Sequence, residues 1–113
     1  MDARNALLGA TPYQVERTLR KLGGDLKTAR LRRNLTSEEV AQKIGTSRFA
    51  VADAEKGKPS TSVAVYAALL WAYGLIDRLA DLADPRKDEE GMTLSLSREP
   101  ARARHRRKLN NDF

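Results

Sequence analysis

A glycine-centred break in twenty residues of helical pattern, EEVAQKIGTSRFAVADAEKG (residues 38–57), most constrains how this chain folds. Apolar residues recur at spacings of three and four on both sides of the break, which predicts two short helices. Gly45 suits the left-handed position after the first helix, and Thr46 or Ser47 caps the second. The two helices therefore meet at an angle. They form either an ordinary helical hairpin within a bundle or a pair that presents the second helix to a partner.

Helical periodicity extends over residues 12–83 and predicts an all-α domain of five helices. Thr11-Pro12 is a start signal, while Gly23-Gly24 leaves open whether one long helix or two bent ones follow. A short fifth helix runs through residues 75–83. The residues that we expect in one core are Leu26, Ala29, Val40, Ile44, Val51, Leu69 and Leu70.

Two serine or threonine caps support these boundaries. Thr36 with Glu39 three residues later has the spacing of a capping box. Ser62 precedes the fourth helix, which should end before Gly74.

The chain outside this domain changes character. Residues 1–10 are predicted to be a flexible N-terminus, and the domain itself is assigned to residues 11–84. Residues 85–97 combine an acidic loop with MTLSLS, whose alternating pattern predicts either a short strand that seals a dimer or part of a disordered tail. Residues 98–113 are basic with little to bury, which predicts a disordered tail.

Composition favours a polyanionic partner. The chain has 21 Lys and Arg against 15 Asp and Glu, and its pI is near 10. Its basic residues cluster in residues 17–33 and 98–108, and its acidic residues in residues 77–90. Sparse aromatic residues argue against stacked single-stranded nucleic acid as the main ligand.

The same inventory disfavours other functions. The chain lacks cysteine and has one histidine, His105, in an arginine-rich stretch without a base or nucleophile at a readable spacing. No phosphate loop or calcium loop is present, so we expect no enzyme activity, cofactor, metal or small-molecule ligand. Neither a membrane span nor a signal layout is apparent, which predicts a cytoplasmic, nucleoid-associated protein without a membrane partner.

A second helix that starts at Ser47 would place Arg48, Phe49, Ala52 and Asp53 opposite Val51 and Ala54. Such a face can enter the major groove, where arginine pairs with guanine, aspartate accepts from cytosine and phenylalanine packs on the thymine methyl.

The segment LTSEEVAQKIGTSRFAVADAEKG resembles the helix-turn-helix of the Xre/Cro family of phage repressors and bacterial regulators, and the likeness covers about residues 20–83. The resemblance implies a lambda-repressor-like five-helix fold, a homodimer and double-stranded operator DNA as the ligand. It implies an ion pair between Arg30 and Glu55. It places Arg48, Phe49 and Asp53 at base-reading positions, and we predict a base contact for Ala52 beside them. The predicted backbone contacts are Arg33, Ser37, Ser47, Lys56 and Lys58.

Within that family, SVAVYAALLWAYGLIDRLADLADPRKDEEG, together with the basic tail, is similar to HipB-like antitoxins. This narrower resemblance implies an autorepressor that holds a HipA-like serine/threonine kinase toxin inactive. A stand-alone phage-type or restriction-control regulator is the alternative. A third interpretation is an interaction module that has lost DNA binding, because Asp53 places a negative charge on the DNA-facing side.

Overall fold

A computed structural model describes residues 3–98 of the protein, with side chains from residue 6 onwards, and every regular element within them is a helix. By chain contacts it consists of two units, Met1–Leu79 and Ala80–Phe113. The helices are α1 (Ala3–Gly9), α2 (Tyr13–Arg32), α3 (Ser37–Ile44), α4 (Arg48–Glu55), α5 (Val63–Ala72), α6 (Ile76–Ala80) and α7 (residues 89–98), with a 3₁₀ turn at Pro85–Lys87.

The all-α prediction is confirmed, and α2 to α6 are the five expected helices. Local chemistry sets their ends as the sequence indicates. Thr36 and Glu39 form the capping box, with the Thr36 hydroxyl accepting from the Glu39 N–H at 3.1 Å and the Glu39 carboxylate accepting from the Thr36 N–H at 3.0 Å. Ser47 and Ser62 cap α4 and α5. Thr11 is not the cap of α2, because that helix begins one residue after Pro12 and the Thr11 hydroxyl donates to the Leu7 carbonyl instead.

The core of the first unit lies where α2, α3, α4 and α5 converge. Its buried residues are Leu26, Ala29, Val40, Ala41, Val51, Ala54, Tyr66, Leu69 and Tyr73. Ile44 and Leu70, which the sequence placed in the core, are only partly buried and pack against its edge. Alanines at positions 41 and 54 leave little side chain between the helices, so α3 and α4 can approach closely.

The Gly23-Gly24 pair does not break α2, which runs without interruption from Tyr13 to Arg32. A Cβ at Gly23 would lie 2.5 Å from the Ala54 carbonyl oxygen and 2.7 Å from the Gly57 nitrogen, whereas Gly24 faces open space. Gly23 therefore lets α2 touch the backbone at the end of α4. Tertiary packing explains this glycine better than helix propensity does.

Outside the domain, one expectation stays untested and another is wrong. Ala3–Gly9 forms α1, and the flexibility expected of residues 1–10 stays a prediction. MTLSLS (residues 92–97) is part of α7 and not a strand. A lone strand would leave its backbone groups unpaired, whereas a helix pairs them internally. Asp88 also starts this helix, since its Oδ1 accepts from the Gly91 N–H at 3.0 Å.

The predicted basic tail begins at Arg98, and residues 99–113 lie outside the described residues.

Candidate nucleic-acid interface

A left-handed glycine sets the angle between α3 and α4. Gly45 has φ of 80°, and the N–H of Thr46, the next residue, donates back to the Ala41 carbonyl at 2.9 Å. This backbone bond closes the end of α3 while the chain reverses direction. Ser47 then opens α4, its hydroxyl accepting from the Ala50 N–H at 3.2 Å. The turn is three residues long and leaves the first turn of α4 at the surface.

The two sides of α4 differ sharply. Val51 and Ala54 are fully buried, and they fix this helix against α3 and α2. The opposite side carries Arg48 and Phe49, which are exposed, and Ala52 and Asp53, which are half-buried. The four residues predicted to contact bases therefore share the outward side of α4.

Arg48 and Phe49 form a cation–π contact, with the guanidinium carbon 5.1 Å from the ring centroid. Phe49 nevertheless remains 67% exposed, although an aromatic ring of this size usually finds burial in the core. The exposed ring and the arginine beside it form one apolar and cationic surface. That combination suits a thymine methyl next to a guanine edge.

A buried ion pair locks α4 to α2. Arg30 Nε lies 2.7 Å from Glu55 Oε2, and Arg30 Nη2 lies 3.1 Å from Oε1, so the contact is bidentate. The third donor, Nη1, reaches the Leu35 carbonyl at 2.9 Å. Glu55 raises the pKa of the Arg30 guanidinium, chiefly through this hydrogen bond and against the opposing effect of burial. The pair that the resemblance implied is thus present, and it joins α2, the loop before α3 and the end of α4.

The predicted backbone contacts differ in how available they are. Arg33 is committed within the protein: its guanidinium donates to the Ala29 and Tyr73 carbonyls, each at 2.9 Å, and lies over the Tyr73 ring. These contacts hold α2 to the end of α5. Arg33 is still an exposed residue, and neither contact is to a carboxylate, so its phosphate contact stays a prediction. The sequence could not show the contact with Tyr73, because Tyr73 is forty positions away.

Ser37 and Ser47 stand at the starts of α3 and α4, where the helix dipoles favour an anion. Lys56 is exposed and forms no ion pair with any described residue. Lys58 is different, because its Nζ lies 3.0 Å from Asp53 Oδ1. The spacing of the sequence did not reveal this pair. The available signal was that Lys58 follows Gly57, the glycine after α4, where the chain turns back towards Asp53.

Tyr66 is a further residue that the site analysis from sequence missed. Its buried hydroxyl donates to the Lys58 carbonyl at 2.9 Å and so ties α5 to the turn after α4. Burial raises the pKa of this phenol. Tyr73 is buried as well, and burial likewise raises its pKa, but its hydroxyl has no hydrogen-bond partner among the described residues.

A three-residue turn that begins at Gly45 joins α3 to α4. One side of α4 packs against the core and the other faces solvent, which is the arrangement of a helix-turn-helix. Residues 21–83 match the sequence model of the helix-turn-helix domain family. The matched residues make up more than half of the chain. The chain belongs to the helix-turn-helix domain family. No curated protein and no solved structure gives a significant match.

Membership of this family supports DNA binding and transcriptional regulation as the function of the domain. Within residues 3–98, no helix is long and apolar enough to cross a membrane. The described part of the chain also brings together no group of three side chains that could hold a metal ion. The matched segment begins at Lys21, so α1 and the first turns of α2 lie outside it.

Proposed function

We propose that this protein binds operator DNA as a two-fold dimer, with α4 of each protomer in the major groove. The observation that carries the proposal is the outward side of α4, where Arg48 and Phe49 are exposed and Ala52 and Asp53 are half-buried. The other side of this helix is anchored by Val51 and the Arg30–Glu55 pair. The rigid anchoring of α4 supports this role, because base readout needs donors and acceptors held in register with base edges.

Each residue has a role in this proposal. Arg48 donates to guanine, Phe49 packs on a thymine methyl and Asp53 accepts from an amino group of a base, while Ala52 allows close approach. Lys56 and the starts of α3 and α4, with Ser37 and Ser47, contact phosphates and set the register. Arg33 keeps its contacts with the Ala29 and Tyr73 carbonyls and, being exposed, can contact a phosphate from that position.

The finer proposal is that the protein is a HipB-like antitoxin, which represses its own gene and holds a HipA-like serine/threonine kinase inactive. Its support is the sequence resemblance over α5, α6 and the acidic segment that follows, and the presence of a second unit after Leu79. The predicted dimer-sealing strand no longer supports it, since residues 92–97 are helical. The basic residues 98–113 are the proposed kinase-docking segment.

The test combines two measurements on the full chain. The first is a gel shift with the DNA upstream of its own gene, with a scrambled duplex as competitor. The second is co-purification with the product of the adjacent gene and assay of that product's kinase activity. An antitoxin binds the upstream DNA, co-purifies with the kinase and suppresses its activity. A chain that ends at Ser97 should keep the gel shift and lose much of the kinase binding.

The alternative is a stand-alone phage-type or restriction-control regulator. Specific binding to the upstream DNA without any kinase partner would favour it and reject the antitoxin role. Failure to bind any duplex would reject both, and would favour an interaction module that has lost DNA binding.

A further inference from the structure

The ion pair between Asp53 and Lys58 lies on the side of α4 that carries Arg48 and Phe49. Both side chains are partly accessible, at 42% for Asp53 and 48% for Lys58. The pair uses Asp53 Oδ1, and Oδ2 accepts no hydrogen bond from the described residues. A bare carboxylate here would repel the phosphates of an approaching duplex. An adjacent ammonium group 3.0 Å away offsets that repulsion.

The backbone holds Lys58 where the pair requires it. Its N–H donates to the Asp53 carbonyl at 3.1 Å across the turn that ends α4, and Gly57 in that turn has φ of 71°. Its own carbonyl accepts from the buried Tyr66 hydroxyl at 2.9 Å. A Cβ at Gly57 would collide with the α2 backbone near Leu19 and Arg20, so this turn is packed tightly. Two backbone hydrogen bonds and the tight turn at Gly57 therefore set Lys58 beside Asp53, and none of them involves its charge.

We infer that Lys58 is a positioning residue for Asp53 and not a phosphate contact, and that Asp53 determines specificity through Oδ2. This inference rests on the proposed DNA-binding function. Lys58 neutralises the carboxylate at Oδ1, and Oδ2 is left to accept from the amino group of a cytosine in the major groove. It revises the phosphate contact that the sequence analysis predicted for Lys58.

Lys56 provides a matched control. It is also exposed, lies two positions away in the same turn and carries the same charge, but it forms no ion pair with any described residue. Removing either lysine changes the net charge equally. The long-range electrostatic effect on DNA binding is then similar, and any difference between the two variants reports the Asp53 contact.

The experiment uses the duplex that the wild-type protein enriches from a randomised pool, and a scrambled duplex of the same composition. Binding of Lys56→Ala, Lys58→Ala, Asp53→Asn and Asp53→Asn/Lys58→Ala is measured at several salt concentrations. Lys58→Ala should lower the ratio of enriched to scrambled affinity by about fivefold, the value of one good hydrogen bond, while Lys56→Ala changes it by less than about twofold. Lys58→Arg should preserve the ratio, because arginine can still pair with Asp53.

The Asp53→Asn background gives the decisive comparison. In the Asp53→Asn variant, Lys58 has lost its anionic partner and is free to contact a phosphate. Adding Lys58→Ala to that variant should leave the ratio of enriched to scrambled affinity unchanged. It should lower the slope of log affinity against log salt concentration by about 0.9. In the wild-type background, Lys56→Ala should lower this slope by about 0.9, whereas Lys58→Ala should leave it unchanged.

Two outcomes overturn the inference and are distinguishable. If the wild-type protein enriches a sequence but Lys58→Ala matches Lys56→Ala in both ratio and slope, then Lys58 is a phosphate contact and only this inference fails. If the wild-type protein enriches no sequence from the pool and does not bind the scrambled duplex, the proposed DNA-binding function fails and this inference fails with it.

Discussion

At the scale of single residues, the Arg30–Glu55 pair is the costliest contact to break. Both side chains are at least 90% buried, and they satisfy each other with two hydrogen bonds. Glu55→Gln leaves the Arg30 charge buried without a counter-charge and should lower the free energy of unfolding by about 3–5 kcal/mol. Urea denaturation followed by circular dichroism measures this loss. Arg30→Met/Glu55→Gln, which removes the charge as well, should be closer to wild type, and equal losses would contradict the account.

Glu39 makes stability depend on pH through the capping box. Its pKa is lowered from the ordinary value of 4.5, mainly because its carboxylate accepts from the Thr36 N–H. The unfolded chain therefore binds a proton at higher pH than the folded chain does. The stabilisation from Glu39 is complete above about pH 4.5 and is lost as the pH falls through the lower, folded pKa. Urea midpoints between pH 6 and pH 3, measured for wild type and Glu39→Gln, should show a shallower acid decline in the variant, and parallel declines would exclude this role.

Residue chemistry that acts within a few positions was readable from the sequence. Thr36, Glu39, Gly45 and Ser62 each satisfy a local backbone need, and their assignments hold. Partners that meet only in the fold could not be read this way. Neither the contact of Arg33 with Tyr73 nor the ion pair of Asp53 with Lys58 was visible in the sequence.

At the scale of elements, α2 and the end of α4 are joined by backbone contact at Gly23. Gly23→Ala would drive a methyl group into the Ala54 carbonyl and should cost about 1–3 kcal/mol of stability. Gly24→Ala is the matched control, since its Cβ meets open space and should stabilise α2 by about 0.4–1 kcal/mol. Thermal melting of both variants gives opposite shifts if the account is right. Stabilisation by both variants would show that helix propensity, and not packing, dominates at Gly23.

The element that the sequence predicted wrongly is α7. The alternation in MTLSLS indicated a strand, although a helix start signal precedes it. Asp88 caps the helix, and two glutamates follow at its positive end. An alternating pattern predicts a strand only when another strand is available to pair with it, and the pattern alone contains no information on that partner.

At the scale of the whole molecule, one α4 contacts only a few base pairs, so useful specificity needs two copies. We predict a two-fold dimer whose recognition helices lie about 34 Å apart, matched to one turn of DNA, and an operator that is nearly palindromic. Light scattering on the free protein at micromolar concentration should give twice the chain mass of 12.6 kDa. A monomer both free and on the enriched duplex would contradict this prediction.

The most direct test of the account is the loss of base readout on removal of Arg48. Arg48→Ala should weaken binding to the enriched duplex by about 1–3 kcal/mol and relax selection at one position of each half-site. Affinity for the scrambled duplex should change far less. Arg17→Ala, which removes the same charge from the exposed side of α2, should affect both duplexes alike. Equal losses on both duplexes for Arg48→Ala would contradict the claim that α4 reads DNA sequence.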